Sequence, residues 1–240
     1  MKAEIPGGQP LGTRSFYHGA MNARYHEVVD ALRSSYDGRA AQRDARGKAP
    51  WKLAERAAFL ERVRANGGGR LLEVGAGTGQ DSVYFQENGL DVVAADLSPA
   101  MVARCREKGV EAHVMDFLGL DFPPGAFDAV YALNCLLHVP NSDLPAVLDR
   151  IASVLRPGGL FFLGVYGGGT LTEEGVYEDD EHDPPRFFSF RSDGQLQDFA
   201  RGSFEIVDFH VVGSGDDRFQ SLTLRTGQGG RPDGLAVVGL

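Results

Sequence analysis

Residues 71–80 read Leu71-Leu72-Glu73-Val74-Gly75-Ala76-Gly77-Thr78-Gly79-Gln80. An apolar run ends at Val74, glycines follow at every second position, and Asp81 to Glu87 reads as the start of a helix. Strand, glycine turn and helix make half of a βαβ unit. The turn sits at the strand's carboxyl end, where open α/β sheets bind ligands. Glycine lets the backbone turn sharply and lets a ligand approach the main chain with no Cβ between them. Spacing narrows the ligand. A dinucleotide fingerprint needs G-x-G-x-x-G, but Gln80 stands where the third glycine belongs and Gly79 comes one residue early. A P-loop needs G-x-x-x-x-G-K-[ST], and no such lysine follows. What remains is E-x-G-x-G-x-G.

Upstream, Tyr25, Val28, Val29, Leu32 and Tyr36 recur at helical spacing within Met21–Tyr36. Asp37–Pro50 is polar and reads as a connection. A second helix over Trp51–Arg64 ends at Asn66-Gly67-Gly68-Gly69. Downstream, strands over Arg70–Val74, Asp91–Ala95, Val110–Val114, Phe127–Leu133 and Leu160–Tyr166 alternate with helices over Asp81–Asn88, Pro99–Lys108 and Leu144–Leu155. Such alternation predicts a parallel sheet with helices on both faces. Gly167–Arg186 is too polar for core and is expected to be a long loop. A helix over Ser192–Arg201 and a hairpin of Phe204–Val212 with Phe219–Arg225 complete the pattern. The chain thus divides into a flexible arm (1–20), a helical cap (21–66), a ligand-binding body (67–226) and a loose tail (227–240).

At 240 residues the chain suits one α/β domain with a sizeable core. A net charge of −9 argues against a broad nucleic-acid surface. Cys105 and Cys135 stand without a CxxC or histidine cluster, so neither structural zinc nor a disulfide framework is expected, and no metal is assigned. Met1–Pro10 has no apolar leader, and no run of about 20 apolar residues would span a membrane. A soluble, cytoplasmic protein is the expectation.

Three further segments bear on the glycine turn. Asp96 ends Val-Ala-Ala-Asp-Leu-Ser, where a carboxylate can accept both hydroxyls of a ribose. Asp116-Phe117 follows the third strand, and Val154-Leu155-Arg156-Pro157-Gly158-Gly159-Leu160 leads into the fifth. With E-x-G-x-G-x-G, residues 51–225 resemble the class I methyltransferases that use S-adenosylmethionine. The resemblance implies a doubly wound α/β fold under an N-terminal helical cap. Its mostly parallel sheet would have seven strands in the order 3-2-1-4-5-7-6, counted from Arg70–Val74, with the last strand antiparallel. It implies a cradle of Gly75, Ala76, Gly77 and Gly79 for the methionine end of the cofactor, with Glu73 acting on its ammonium group indirectly or through water. Asp96 would hold the ribose. Leu97 and Met101 would pack on the adenine, Asp116 and the Phe117 N–H would meet its polar edge, and Leu133 and Asn134 would lie beside the methionine portion. The implied reaction is methyl transfer to oxygen or nitrogen of a small-molecule acceptor, leaving S-adenosylhomocysteine, by a monomer or homodimer.

Displacement at a sulfonium methyl needs alignment and exclusion of water, and a base where the acceptor atom must lose a proton. His138 is the candidate base, with shaping of the pocket through backbone bonds as its competing role. The acidic stretch Glu173–Asp183 reads either as a lid or as a solvated surface. Tyr177 and His182 within it, and Tyr36 at the end of the first helix, are candidate acceptor contacts. The basic run Arg39–Lys48 reads as a solvated linker or a contact for an acidic acceptor. Two rival functions stay open: aminopropyl transfer on the same fold, and a non-catalytic cofactor-binding or interaction module.

Overall fold

The computed structural model describes residues 16–17, 24–45, 47–168, 172–177, 180–215 and 218–228. The chain opens with β1 (Phe16–Tyr17), α1 (Tyr25–Asp37), α2 (Ala40–Asp44) and α3 (Pro50–Ala65). Then come β2 (Arg70–Val74), α4 (Gln80–Glu87), β3 (Asp91–Asp96), α5 (Pro99–Glu107), β4 (Glu111–Val114) and β5 (Phe127–Leu133). A 3-10 turn at Leu136–His138 leads to α6 (Leu144–Val154), β6 (Leu155–Tyr166), β7 (Glu174–Tyr177) and β8 (Phe187–Ser189). The chain ends in α7 (Asp193–Arg201), β9 (Glu205–Val212) and β10 (Phe219–Arg225).

Seven strands form one sheet in the order β4-β3-β2-β5-β6-β10-β9. Counted within this sheet alone, that is the expected 3-2-1-4-5-7-6. Pairing is parallel from β4 through β6, and β10 runs antiparallel to both β6 and β9. Alternate side chains of each strand enter two cores, as the two-residue period of a strand dictates. Leu72 and Val74 meet Tyr25, Val28 and Leu32 of α1 and Val147, Leu148 and Ile151 of α6. Leu71 meets Phe59, Leu60 and Val63 of α3 and Phe85 of α4 on the other face. Each such side chain, fully buried, contributes roughly 1.5–3 kcal/mol relative to exposure. Thus α3 covers a sheet face, while α1 and α2 reach over the carboxyl ends of the strands.

Several segments differ from the sequence reading. β6 begins at Leu155, so Arg156-Pro157-Gly158-Gly159, expected between helix and strand, lies within it. The connection after Asp37 holds α2. The expected loop Gly167–Arg186 contains β7 and runs directly into β8, which pairs antiparallel with it. On the outer edge of β7 lies β1, pairing Phe16 with Tyr177 and Tyr17 with Val176. Composition misled because the charges here are internally partnered. The Glu174 carboxylate accepts the Asn141 N–H at 2.7 Å and the Ser189 hydroxyl at 2.6 Å. Asp180 accepts two guanidinium bonds from Arg186, at 2.7 and 2.8 Å. The rest of the N-terminal arm up to residue 15, and the tail from 229, lie outside the described residues. Among the described residues no helix is long and apolar enough to cross a membrane, and no His, Cys, Asp and Glu group could hold a metal.

Candidate functional site

From Val74 the chain enters α4 through Gly75, Gly77 and Gly79, all in the left-handed region at φ +65°, +56° and +76°. The Gly75 and Ala76 N–H groups both donate to the Ala95 carbonyl, at 2.8 and 3.2 Å, which clips the turn to the end of β3. A Cβ on Gly75 would lie 2.4 Å from the Cys135 Cβ, and one on Gly79 2.9 Å from the Cys105 sulfur. Glycine is required there on both counts. At Gly77 a Cβ would meet nothing within 4 Å, so this face of the turn is open. Asp96 closes it. One carboxylate oxygen accepts the Gly77 N–H at 2.7 Å and the other the Ser98 N–H at 2.9 Å. Burial raises the Asp96 pKa to about 6 against the opposing pull of these bonds. Each oxygen keeps a lone pair for a further donor.

The open face looks into a cavity of about 590 Å³, mouth included, within the usual range for small-molecule sites. Along the carboxyl edge of the sheet its lining runs from Asp116 and Phe117 after β4, through Asp96, Leu97 and Met101 at the end of β3 and on α5, and Gly75 and Gly77 after β2, to Leu133, Asn134 and His138 at and after the end of β5. Tyr25, Leu32 and Tyr36 of α1, and Arg43 of α2, roof it. Asp116 makes an Asx turn, with one oxygen accepting the Leu118 and Gly119 N–H groups at 2.8 Å each. The Phe117 N–H, expected on an adenine ring, faces the Tyr25 hydroxyl at 3.4 Å. Asn134 is held at φ +56°, unusual without glycine and a mark of functional sites. Its side-chain oxygen is buried with no partner among the described residues, leaving an acceptor ready for a ligand's donor.

Five expected residues do not line the cavity. Ala76 and Gly79 belong to the turn's inner side. Glu73 lies beneath it, 3% exposed, and accepts the Ser82 hydroxyl; burial and the nearby Asp81 raise its pKa. Tyr177 is buried in the small sheet edge-on to Phe188. His182 stands behind Tyr36, ring centroids 5.8 Å apart.

His138 heads a buried polar chain. Its Nδ1 lies 2.6 Å from the Phe187 carbonyl, which only accepts, so Nδ1 carries the proton. The bare Nε2 then accepts the Tyr36 hydroxyl proton at 2.5 Å. Arg186 donates to the Tyr36 oxygen at 3.3 Å and is itself held by Asp180. Burial, then the Arg186 charge, pushes the His138 pKa down to about 3, so the ring stays neutral near pH 7. Arg186, which bonds Tyr36 without lining the cavity, did not stand out in the sequence, and Arg43 lay within the basic run Arg39–Lys48, read as a solvated linker or a contact for an acidic acceptor. A weak signal existed for Arg43, seven residues beyond Tyr36 and so on the same face of a continued helix.

A methyltransferase-domain family model matches residues 71–159. A malonyl-[acyl-carrier protein] O-methyltransferase from Serratia marcescens is 31% identical over 147 residues, 60% of this chain and 56% of that protein. A phosphoethanolamine N-methyltransferase from Arabidopsis thaliana is 32% identical, over 45% of this chain and 23% of its own length. The chain therefore spans about half or less of the curated relatives it matches. Among solved structures, a Burkholderia thailandensis 1,6-didemethyltoxoflavin-N1-methyltransferase with bound 1,6-didemethyltoxoflavin and S-adenosylhomocysteine superposes with a TM-score of 0.67. It is 25% identical, over 85% of this chain and 91% of that one. Residues 71–159 thus match a methyltransferase domain, and the sheet order and glycine turn are those of the class I S-adenosylmethionine-dependent methyltransferase fold.

Proposed function

We propose that the protein binds S-adenosylmethionine in this cavity and catalyses methyl transfer to an oxygen or nitrogen of a small-molecule acceptor. The observation that carries the reading is Asp96, a half-buried carboxylate with a free lone pair on each oxygen beside the open face of Gly77. Two adjacent hydroxyls of a ribose suit it. The unpartnered Asn134 oxygen supplies a further acceptor just beyond the end of β5, and Leu97 and Met101 give the apolar surface a purine ring needs. Bound there, the cofactor supplies a sulfonium-activated methyl group. The protein's share is alignment and exclusion of water, and the α1 roof provides the second.

Acceptor chemistry falls to Tyr36. Its proton is engaged by His138 and one side of its oxygen by Arg186. A remaining lone pair can receive an O–H or N–H from an acceptor and aim the attacking atom. A histidine held near pKa 3 is a poor base at neutral pH, so His138 acts as a positioning residue for Tyr36. The named relatives include an O-methyltransferase and an N-methyltransferase, so the proposal takes in both acceptor atoms.

Calorimetry tests the reading. S-adenosylmethionine and S-adenosylhomocysteine should bind at micromolar concentrations, and Asp96→Ala should weaken both roughly 10–100-fold, the cost of a charge-assisted hydrogen-bond pair. Preference for decarboxylated S-adenosylmethionine would point to aminopropyl transfer instead. Binding of NADH alone, or of none of these ligands, would overturn the cofactor assignment.

A further inference from the structure

A second hollow lies at the other end of the sheet. Helix α3 starts beside the carboxyl ends of the strands, where Trp51 meets Tyr166 and Phe219, and finishes at Ala65, just before β2 begins. Under that last turn, between α3 and the strands β6, β9 and β10, is a cavity of about 440 Å³, mouth included. It shares no lining residue with the cavity beside the glycine turn. The five residues of β2 alone, at about 3.3 Å each, put roughly 16 Å between the two ends of the sheet.

The charges in this hollow are all of one sign. Arg62 reaches it from α3, and Thr223 and Arg225, alternate residues of β10, reach it from the sheet. The Arg225 Nε is buried with no hydrogen-bond partner among the described residues. An unmet buried donor costs free energy, and more so on a cation. Glu205 stands opposite Arg225 on β9, but it is exposed and makes no ion pair with Arg225 among the described residues. Arg62 has Asp208 at 3.6 Å, and that carboxylate already meets His210 at 2.8 Å. Thr223, 5% exposed, adds a hydroxyl. Among the described residues no carboxylate lines the hollow, and its remaining wall of Ala65, Leu160 and Val207 is apolar. In a chain of net charge −9, two guanidinium groups gathered at one cavity favour an anion locally.

We propose that this hollow binds a small phosphomonoester, with its phosphate on Arg62, Arg225 and the Thr223 hydroxyl and its carbon part on the Leu160 and Val207 wall. Guanidinium groups match phosphate oxygens in pairs. The donors come from a helix on one side and a strand on the other. A tetrahedral group offers oxygens in both directions, whereas a carboxylate offers them in one plane. At the far end of the sheet the ester is a ligand that ties the end of α3 to β10, not a methyl acceptor, and the site does not depend on the cofactor assignment.

The experiment follows backbone amide shifts of the full chain by NMR while phenyl phosphate, inorganic phosphate or acetate is added, with ionic strength held constant by sodium chloride. Phenyl phosphate should give saturable shifts at residues 65–67 and 223–226, spare the glycine turn at 75–79, and bind more tightly than inorganic phosphate, which lacks the apolar part. Arg225→Gln should weaken it roughly 10–100-fold, as loss of charge-assisted bonds does. Arg62→Ala, a change on the exposed side of α3 that leaves the core intact, should weaken it too and decides the matter should the first variant fail to fold. Acetate that shifts the same amides as strongly would reveal a general charge effect and overturn the phosphate assignment. Shifts that never saturate, that fall on the glycine turn, or that persist unchanged in the variants would overturn the site.

Discussion

At the scale of single residues, His138 shows how burial sets a role. Its ring is fixed at both nitrogens, by Phe187 and by Tyr36, and does not take up a second proton until about pH 3. In the unfolded chain an imidazole protonates near 6.5. Between these values the unfolded state binds the extra proton, so the stability tied to a neutral His138 is full above pH 6.5 and drains away as pH falls toward 3. The slope is about 1.4 kcal/mol per pH unit. Urea midpoints for the wild type should drop between pH 7 and pH 5, and His138→Gln should flatten that drop. Parallel pH profiles for the two proteins would refute the assigned tautomer and its burial. His138 was legible in the sequence as a residue beside the site, but its role was not. The partner that fixes the tautomer, Phe187, lies 49 residues away on a strand whose place only the fold reveals.

At the scale of elements, Asp81 joins the first turn of α4 to the segments before β2. It is 2% exposed, with Lys48 at 2.5 Å and Arg56 of α3 at 2.8 Å. A carboxylate on a first helical turn is also favoured by the helix dipole. Asp81→Ala would leave two cations facing each other without their anion. It should cost about 3–5 kcal/mol in urea unfolding, and a loss below about 1 kcal/mol would show that the pairs are not coupled to the fold. Elements β2, β3 and β5 were readable because each holds an apolar run closed by a turn signal. So was the motif side of the site, since one continuous segment sets the geometry from Glu73 to Gln80. By contrast, α2 and β7 carry charges whose partners come from elsewhere, such as Asn141 for Glu174, and a polar strand reads as a loop until those partners are known. Arg186 was hidden for the same reason: docking of its segment, not local spacing, brings it to Tyr36.

At the scale of the whole molecule, the roof and the body are not separate folding units. Tyr25, Val28 and Leu32 of α1 belong to the same core as Leu72 and Val74 of the central strand. On the opposite face, Trp51 of α3 packs 4.6 Å from Phe219 of β10, centroid to centroid. As the chain's one tryptophan, Trp51 reports docking of α3, while far-ultraviolet dichroism reports the sheet and helices together. Shared cores predict one cooperative transition, so the two signals should coincide along a urea titration, and an earlier tryptophan transition would contradict them. The roof is nonetheless held unevenly. Its α1 end is sealed by apolar packing, which salt leaves untouched, whereas α2 is latched by Lys108 and Asp44, each about 29% exposed. Salt screens such an exposed pair and spares a buried one. Ionic strength would then act as a clock on the site, shortening the residence of a bound ligand through the α2 end while the fold itself keeps its hold.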